Sequence, residues 1–248
     1  MSDNWVQCRK CRAQQVKSLP AGYVRVKRVH NGIEQTIVVE CDCHIKWRLA
    51  MEMNAKLKAS GFTDVELLSD EFAYQGSSDN ITRLKKYADS FSLRNKTGQL
   101  VRETIIYISG TTGTQKTATV YWLAREILRC YDVQYVTYDN LLNTYISSLW
   151  NDELTSITQR WENCDLLIID ECFQSIKTDK QIMAYEKLIE IRLANKKGII
   201  FVSRIDLDSL TPTQMSSSLK DRIKKETTRR SSKMRFTDQA HDVPEVLF

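Results

Sequence analysis

The sequence predicts an α/β fold built on a mainly parallel, buried sheet, with a small β-rich module ahead of it. Three observations carry this. After Arg102, short apolar segments alternate with helix-forming stretches; one of them leads directly into a glycine- and threonine-rich turn that opens a helix; and four of the seven cysteines stand in two tight pairs near the start of the chain. With 248 residues, 42% hydrophobic and 27% charged, the chain has material for one well-filled core and an appended unit.

In chain order, residues 6–43 are rich in Cys, Lys, Arg and Val. The alternation through 23–29 and again through 36–40 predicts a β-hairpin turning near Asn31-Gly32. Over 45–60 good helix formers take over, among them Leu49, Met51, Ala55 and Leu57. Gly61 stands where a helix C-cap belongs, so a linking helix is expected here. Residues 64–102 are polar, with loops at 76–79 and 95–99 around a helix at 81–91. Strands are then expected at 105–109, 133–138, 166–170, 198–203 and 233–236. A helix over 117–129 would present Val120, Leu123, Ala124, Ile127 and Leu128 as one apolar stripe.

Composition narrows the class. No apolar run reaches the roughly eighteen residues of a membrane span. Residues 1–15 are polar and basic, unlike an export signal, so the expected compartment is the cytoplasm, with no membrane partner. A formal charge of +5 is compatible with a polyanionic partner but does not specify one.

The turn after the first core strand reads Gly110-Thr111-Thr112-Gly113-Thr114-Gln115-Lys116-Thr117. It approximates the Walker A pattern in the strand-loop-helix setting that the pattern requires. A helix N-terminus offers N–H donors and partial positive charge, Lys116 is placed to reach the β and γ phosphates of ATP, and the Thr117 hydroxyl can ligate magnesium. Gln115 stands where the second signature glycine belongs, which predicts weaker binding or turnover. The complementary half is Leu166-Leu167-Ile168-Ile169-Asp170-Glu171, an apolar strand ending in carboxylates. In it Asp170 would hold the magnesium and Glu171 would activate the attacking water.

Cys8-x-x-Cys11 and Cys41-x-Cys43 flank the predicted hairpin, and four thiolates suit tetrahedral zinc. Zinc binding, worth roughly 10 kcal/mol, would offset the small core of so short a unit. His44 is an alternative fourth ligand. Cys130, Cys164 and Cys172 read as core or near-strand thiols.

A zinc-type module, a linking helix ending in Gly61-Phe62-Thr63, then a minimal P-loop core with Tyr138-Asp139-Asn140-Leu141-Leu142 ahead of Asp165 to Glu171: this order resembles the DnaC/DnaI family of replicative helicase loaders, bacterial or phage. The resemblance implies an AAA+ fold with minimal or no lid and three segments: a zinc-ribbon-like, helicase-binding module at 1–44, a linking helix at 45–62 and the ATPase domain at 63–248. It implies ATP, Mg2+ and Zn2+ as cofactors. The implied partners are the hexameric replicative helicase, single-stranded DNA and further copies of the ATPase domain. By position, Arg222 resembles the arginine finger that reaches a neighbouring subunit's nucleotide. Ser203 is followed by Arg204 where the family has a polar sensor pair, which puts that sensor in doubt. Residues 140–161 resemble a helical insertion facing DNA, with Tyr145, Trp150, Arg160 and Trp161 as candidate contacts. The same core also resembles transposition helper ATPases of the IstB type, and a hydrolysis-deficient adaptor is a third reading.

Overall fold

The computed structural model describes residues 5–7, 14–16, 23–30, 33–63, 78–91, 104–148, 151–174, 178–229 and 233–236. The chain divides into two compact units, 1–56 and 57–248.

In the first unit, β1 (Trp5–Gln7), β2 (Gln14–Val16), β3 (Tyr23–His30) and β4 (Ile33–Glu40) form an antiparallel sheet in that order. The β3–β4 hairpin runs in register from Tyr23↔Glu40 to His30↔Ile33, as the alternation predicts. Helix α1 (Asp42–Ala59) starts earlier than the expected Ile45, because the Cys41 carbonyl already accepts from the His44 and Ile45 N–H groups at 2.9 and 3.0 Å. Asp42 in the first turn favours that start electrostatically. Cys43 therefore lies on the helix, and His44 Nδ1 donates to Glu40 Oε1 at 2.8 Å.

The second unit holds the parallel sheet: β5 (Ile105–Gly110), β6 (Val133–Thr137), β7 (Leu166–Cys172), β8 (Gly198–Ser203) and β9 (Lys233–Phe236), in the order β6-β7-β8-β5-β9. Helices α2 (Ser78–Asp89), α3 (Lys116–Ile127), α4 (Tyr138–Ser147), α5 (Asp152–Asn163), α6 (Asp179–Ala194) and α7 (Ser217–Arg229), with a short 3-10 helix at Leu207–Ser209, complete its described elements. The inner strands are buried along nearly their whole length, which is why they read as continuous apolar runs. Because the chain leaves β5 for the far edge at β6 and returns through β7 and β8, the carboxyl ends of β5, β7 and β8 open on one cleft.

Several expectations are corrected here. Tyr138 opens α4 instead of closing a strand, with extended Thr137 as its N-cap. The expected single segment at 140–161 is two helices. Tyr145 and Trp161 are buried in the core, and the Tyr145 hydroxyl donates to Glu162 at 3.0 Å, so neither is a free stacking surface for bases. Trp150 lies outside the described residues, and Arg160 is exposed. Of the three thiols expected in the core or near a strand, Cys130 is exposed and just precedes β6, whereas Cys164 and Cys172 are buried and burial pushes the Cys164 thiol up to about 11.

Two polar devices tie the layers together. Arg192 of α6, fully buried, donates to the carbonyls of Trp161, Cys164 (3.1 Å) and Gly198 (2.6 Å), satisfying the end of α5 and the start of β8. Asp208, after β8, is held down to about 2 by Lys224 of α7 and Lys233 of β9. Its pKa is lower in the folded chain, so its contribution is complete above the ordinary value of 3.8 and disappears as pH falls towards about 2. Asp208→Asn is therefore expected to cost less than about 1 kcal/mol near neutral pH, since the carboxylate is exposed. Thermal melts of the variant and the unaltered chain should converge in acid.

Candidate functional site

The site begins where β5 ends. Gly110 pairs with Phe236 of β9, and residues 111–115 form the turn into α3. Gly113 sits at φ +81, a conformation that side chains rarely adopt, and the space beside it is open. Thr114 is buried and donates to the Thr111 carbonyl at 2.9 Å, closing the loop on itself. Lys116 donates to the same carbonyl at 2.6 Å and to Thr114 Oγ1 at 3.2 Å. Burial pushes its ammonium below the ordinary value; Asp170 acts the other way and Arg204 adds to the fall. A lysine folded over a loop of carbonyl and hydroxyl oxygens, with no carboxylate in contact among the described residues, is placed to receive an anion.

Gln115 adopts φ 56 and ψ 20, the left-handed conformation a glycine would take without strain. That strain, about 1–2 kcal/mol, is partly offset because glycine is more disordered in the unfolded chain. Gln115→Gly is therefore expected to add up to about 1 kcal/mol of stability, or about 2–4 °C in melting temperature. It should also tighten nucleotide binding, as titration alongside calorimetry would read; a lower melting temperature would refute the strain.

Two strands away, β7 delivers Asp170 and Glu171. Asp170 is buried, and its Oδ2 accepts from Thr117 Oγ1 at 2.9 Å. The first turn of α3 and the end of β7 thus meet at one point, and a hydroxyl and a carboxylate there are hard oxygen donors of the kind magnesium takes. Beyond Asp170 the ladder to β8 shifts register between Ile169 and Cys172, and Glu171 (φ 56) and Phe173 (φ 64) are left-handed. The bulge turns the Glu171 side chain outward while its N–H donates to Asp170 Oδ1 at 2.7 Å.

These groups line a cavity of about 250 Å³ shared by Thr112 to Ala118, Asp170, Glu171, Gln174, Ser203 and Arg204. Ser203 is committed elsewhere: its hydroxyl donates to the Cys172 carbonyl at 2.8 Å and accepts from Ile205 N–H at 3.0 Å. The next residue, Arg204, is exposed and lines the cavity beside it. Its position after an apolar strand was the only sequence signal for it. Arg222 is exposed on α7 and does not line this cavity.

The four-cysteine set is not assembled among the described residues, where no group of three or more metal-binding side chains occurs. Cys8 and Cys11 lie outside them; Cys41 is buried and Cys43 half-buried. Gln7 and Glu40, the residues before each pair, end β1 and β4, which run in opposite directions with two strands between them. Among the described residues, no helix is long and apolar enough to cross a membrane.

Comparison with known proteins adds the following. The bacterial DnaA ATPase domain family matches residues 76–229, more than half of the chain. The chromosomal replication initiator protein DnaA of Campylobacter jejuni subsp. jejuni serotype O:6 is 30% identical over 136 residues, 54% of this chain and 29% of that protein. The chain thus spans under a third of that relative. Among solved structures, replication initiator DnaA bound to AMPPCP and single-stranded DNA superposes with a TM-score of 0.51 at 16% identity, over 67% of this chain and 48% of that one. The crystal structure of DnaI gives 0.50 at 15%, over 68% and 85%. The five-stranded parallel sheet flanked by helices is the AAA+ P-loop fold that these structures share.

Proposed function

We propose, for a chain that belongs to the bacterial DnaA ATPase domain family, an ATP-dependent DNA replication factor that binds the replicative helicase and loads it onto single-stranded DNA. The observation that carries the nucleotide half is the contact of Thr117 with Asp170 beneath the Lys116 loop. In this reading the loop at 110–117 cradles the phosphates and Lys116 neutralises the β and γ oxygens. Thr117 and Asp170 hold magnesium, which when bound would neutralise the phosphates. Glu171 takes a proton from the attacking water, and Arg204 faces the terminal phosphate from the same chain. Exposed Arg222 serves a neighbouring copy, so a lone chain would turn over slowly and assembly would complete the site.

The partner half rests on different ground. DnaI shares the fold over most of its own length. In the first unit Val29, Ile33, Trp47, Leu49 and Met51 are each more than half exposed, more apolar surface than so small a unit leaves bare without a use. We assign the helicase contact to that unit. Single-stranded DNA belongs to the second, on its likeness to the DNA-bound initiator. Zinc on Cys8, Cys11, Cys41 and Cys43 remains in this reading on the spacing of the thiols alone; metal analysis of the purified chain should find one equivalent, and none would remove it.

The deciding experiment is size-exclusion chromatography with light scattering of the chain mixed with its host's replicative helicase, with and without ATP. A stoichiometric complex that forms or changes size with ATP is the expected result. No complex under any nucleotide condition, together with binding of duplex DNA, would overturn helicase loading in favour of an IstB-type role.

A further inference from the structure

We propose that Tyr135 is a positioning residue that holds the Asp170 carboxylate and joins it to Ser60, Gly61 and Phe62, the three residues that follow α1. The inference rests on the reading of Asp170 as a ligand for nucleotide-bound magnesium.

Tyr135 is the central residue of β6, an edge strand. Its hydroxyl donates to Asp170 Oδ2 at 3.0 Å, the oxygen that also accepts from Thr117. The Glu171 N–H occupies the other oxygen. Three donors therefore fix both oxygens of the carboxylate. A magnesium ion that drew the Thr117 hydroxyl to itself would leave Tyr135 as the side chain still orienting Oδ2.

The other side of Tyr135 is held by the segment after α1. Its N–H donates to the Ser60 carbonyl at 2.7 Å, which covers part of the sheet edge. Its ring stacks on Phe62 at 4.7 Å and 27°, and Tyr121 of α3 meets both rings edge-on, at 4.7 Å from Phe62 and 5.2 Å from Tyr135. Phe62 is buried. Gly61 makes the approach possible: it sits at φ +95, and an added Cβ would lie 2.3 Å from the Tyr135 carbonyl oxygen. Beyond the ring, a second cavity of about 660 Å³ runs between Tyr121, Tyr135, Arg160, Asp170 and Glu171. The phenol is thus aimed by its partners while one side of it remains open. Movement of Phe62 shifts the ring and withdraws the hydroxyl from the metal ligand. By linkage, metal binding stabilises the docked segment to the same degree.

The test uses the full chain and a fluorescent, non-hydrolysable ATP analogue, titrated in EDTA and then against magnesium. Tyr135→Phe keeps the ring contacts and removes the hydroxyl. It should leave analogue affinity in EDTA unchanged and raise the half-saturating magnesium concentration about tenfold, the scale of a hydrogen bond to a charged group. Phe62→Leu should move the magnesium requirement the same way by less, and should add nothing in the Tyr135→Phe background. A Tyr135→Phe protein with an unchanged or lower magnesium requirement, or with an equal loss in EDTA, overturns the positioning role. Additive effects of the two substitutions overturn the junction with Phe62. An unaltered chain that binds no analogue overturns the nucleotide reading itself, and the inference with it, before any variant is made.

Discussion

Glu171→Gln is expected to bind ATP as tightly as the unaltered chain and to release phosphate about 10²–10⁴-fold more slowly, the range a positioned general base supplies. The substitution keeps the size of the side chain and its hydrogen-bonding reach but removes the ability to take a proton. It should be structurally silent because Glu171 is exposed and, among the described residues, its anchor is the backbone N–H that donates to Asp170 at 2.7 Å. The left-handed backbone at φ 56 belongs to the residue's place in the bulge and not to its charge, so glutamine inherits the same geometry. Phosphate release measured with the assembled protein, single-stranded DNA present, gives the rate, and nucleotide titration gives the affinity. Equal rates for the two proteins would remove Glu171 from the chemistry. Absence of turnover in the unaltered chain, with ATP still bound, would favour the adaptor reading.

Lys116→Ala should lower ATP affinity by at least about a hundredfold, because it deletes the charge-assisted contacts to two phosphates, worth about 3 kcal/mol. The loss of protein stability without nucleotide should be small by comparison. The ammonium is buried against the Thr111 carbonyl and Thr114 hydroxyl with no carboxylate in contact among the described residues, and burial is what pushes its pKa down. Removing it gives up two hydrogen bonds but also a desolvated charge, two effects of opposite sign. The clearest readout is therefore the nucleotide-induced rise in melting temperature, which measures binding to the folded chain. It should disappear in Lys116→Ala while the melt without nucleotide stays close to that of the unaltered protein. A retained rise would place the phosphates elsewhere.

Much of the site was legible because its parts are local. Gly110 to Thr117 and Leu166 to Glu171 are continuous segments, each a strand that runs into a turn. Burial on both faces writes such strands as apolar runs, and the turn chemistry follows at once in sequence. The hairpin at 23–40 was readable for the same reason, since a two-residue period and a short turn are short-range features. The departure at Gln115 was visible too, although its left-handed backbone shows that the loop kept the glycine's conformation without the glycine.

Other features depend on which segments the strand order makes neighbours. Apolar and aromatic residues at helical spacing in 140–161 carried no mark to separate a core face from a nucleic-acid face. Packing α4 and α5 against the sheet sent Tyr145 and Trp161 inward. Nothing local in the sequence marks Arg192, yet the carbonyls that end α5 and open β8 converge on it, and a guanidinium has enough donors to serve them together. Tyr135 lies next to Asp170 only because β6 pairs with β7, and next to Phe62 only because β6 is an edge strand that the preceding segment can cover. Backbone periodicity and turn chemistry act over a few residues, so the amino-acid order alone determined the strands, the phosphate loop and the acidic pair. Contacts between residues far apart in the chain exist only once the sheet is ordered, so the tertiary structure alone decided which aromatic rings are buried, which arginine faces the cavity and what holds the Asp170 carboxylate in place.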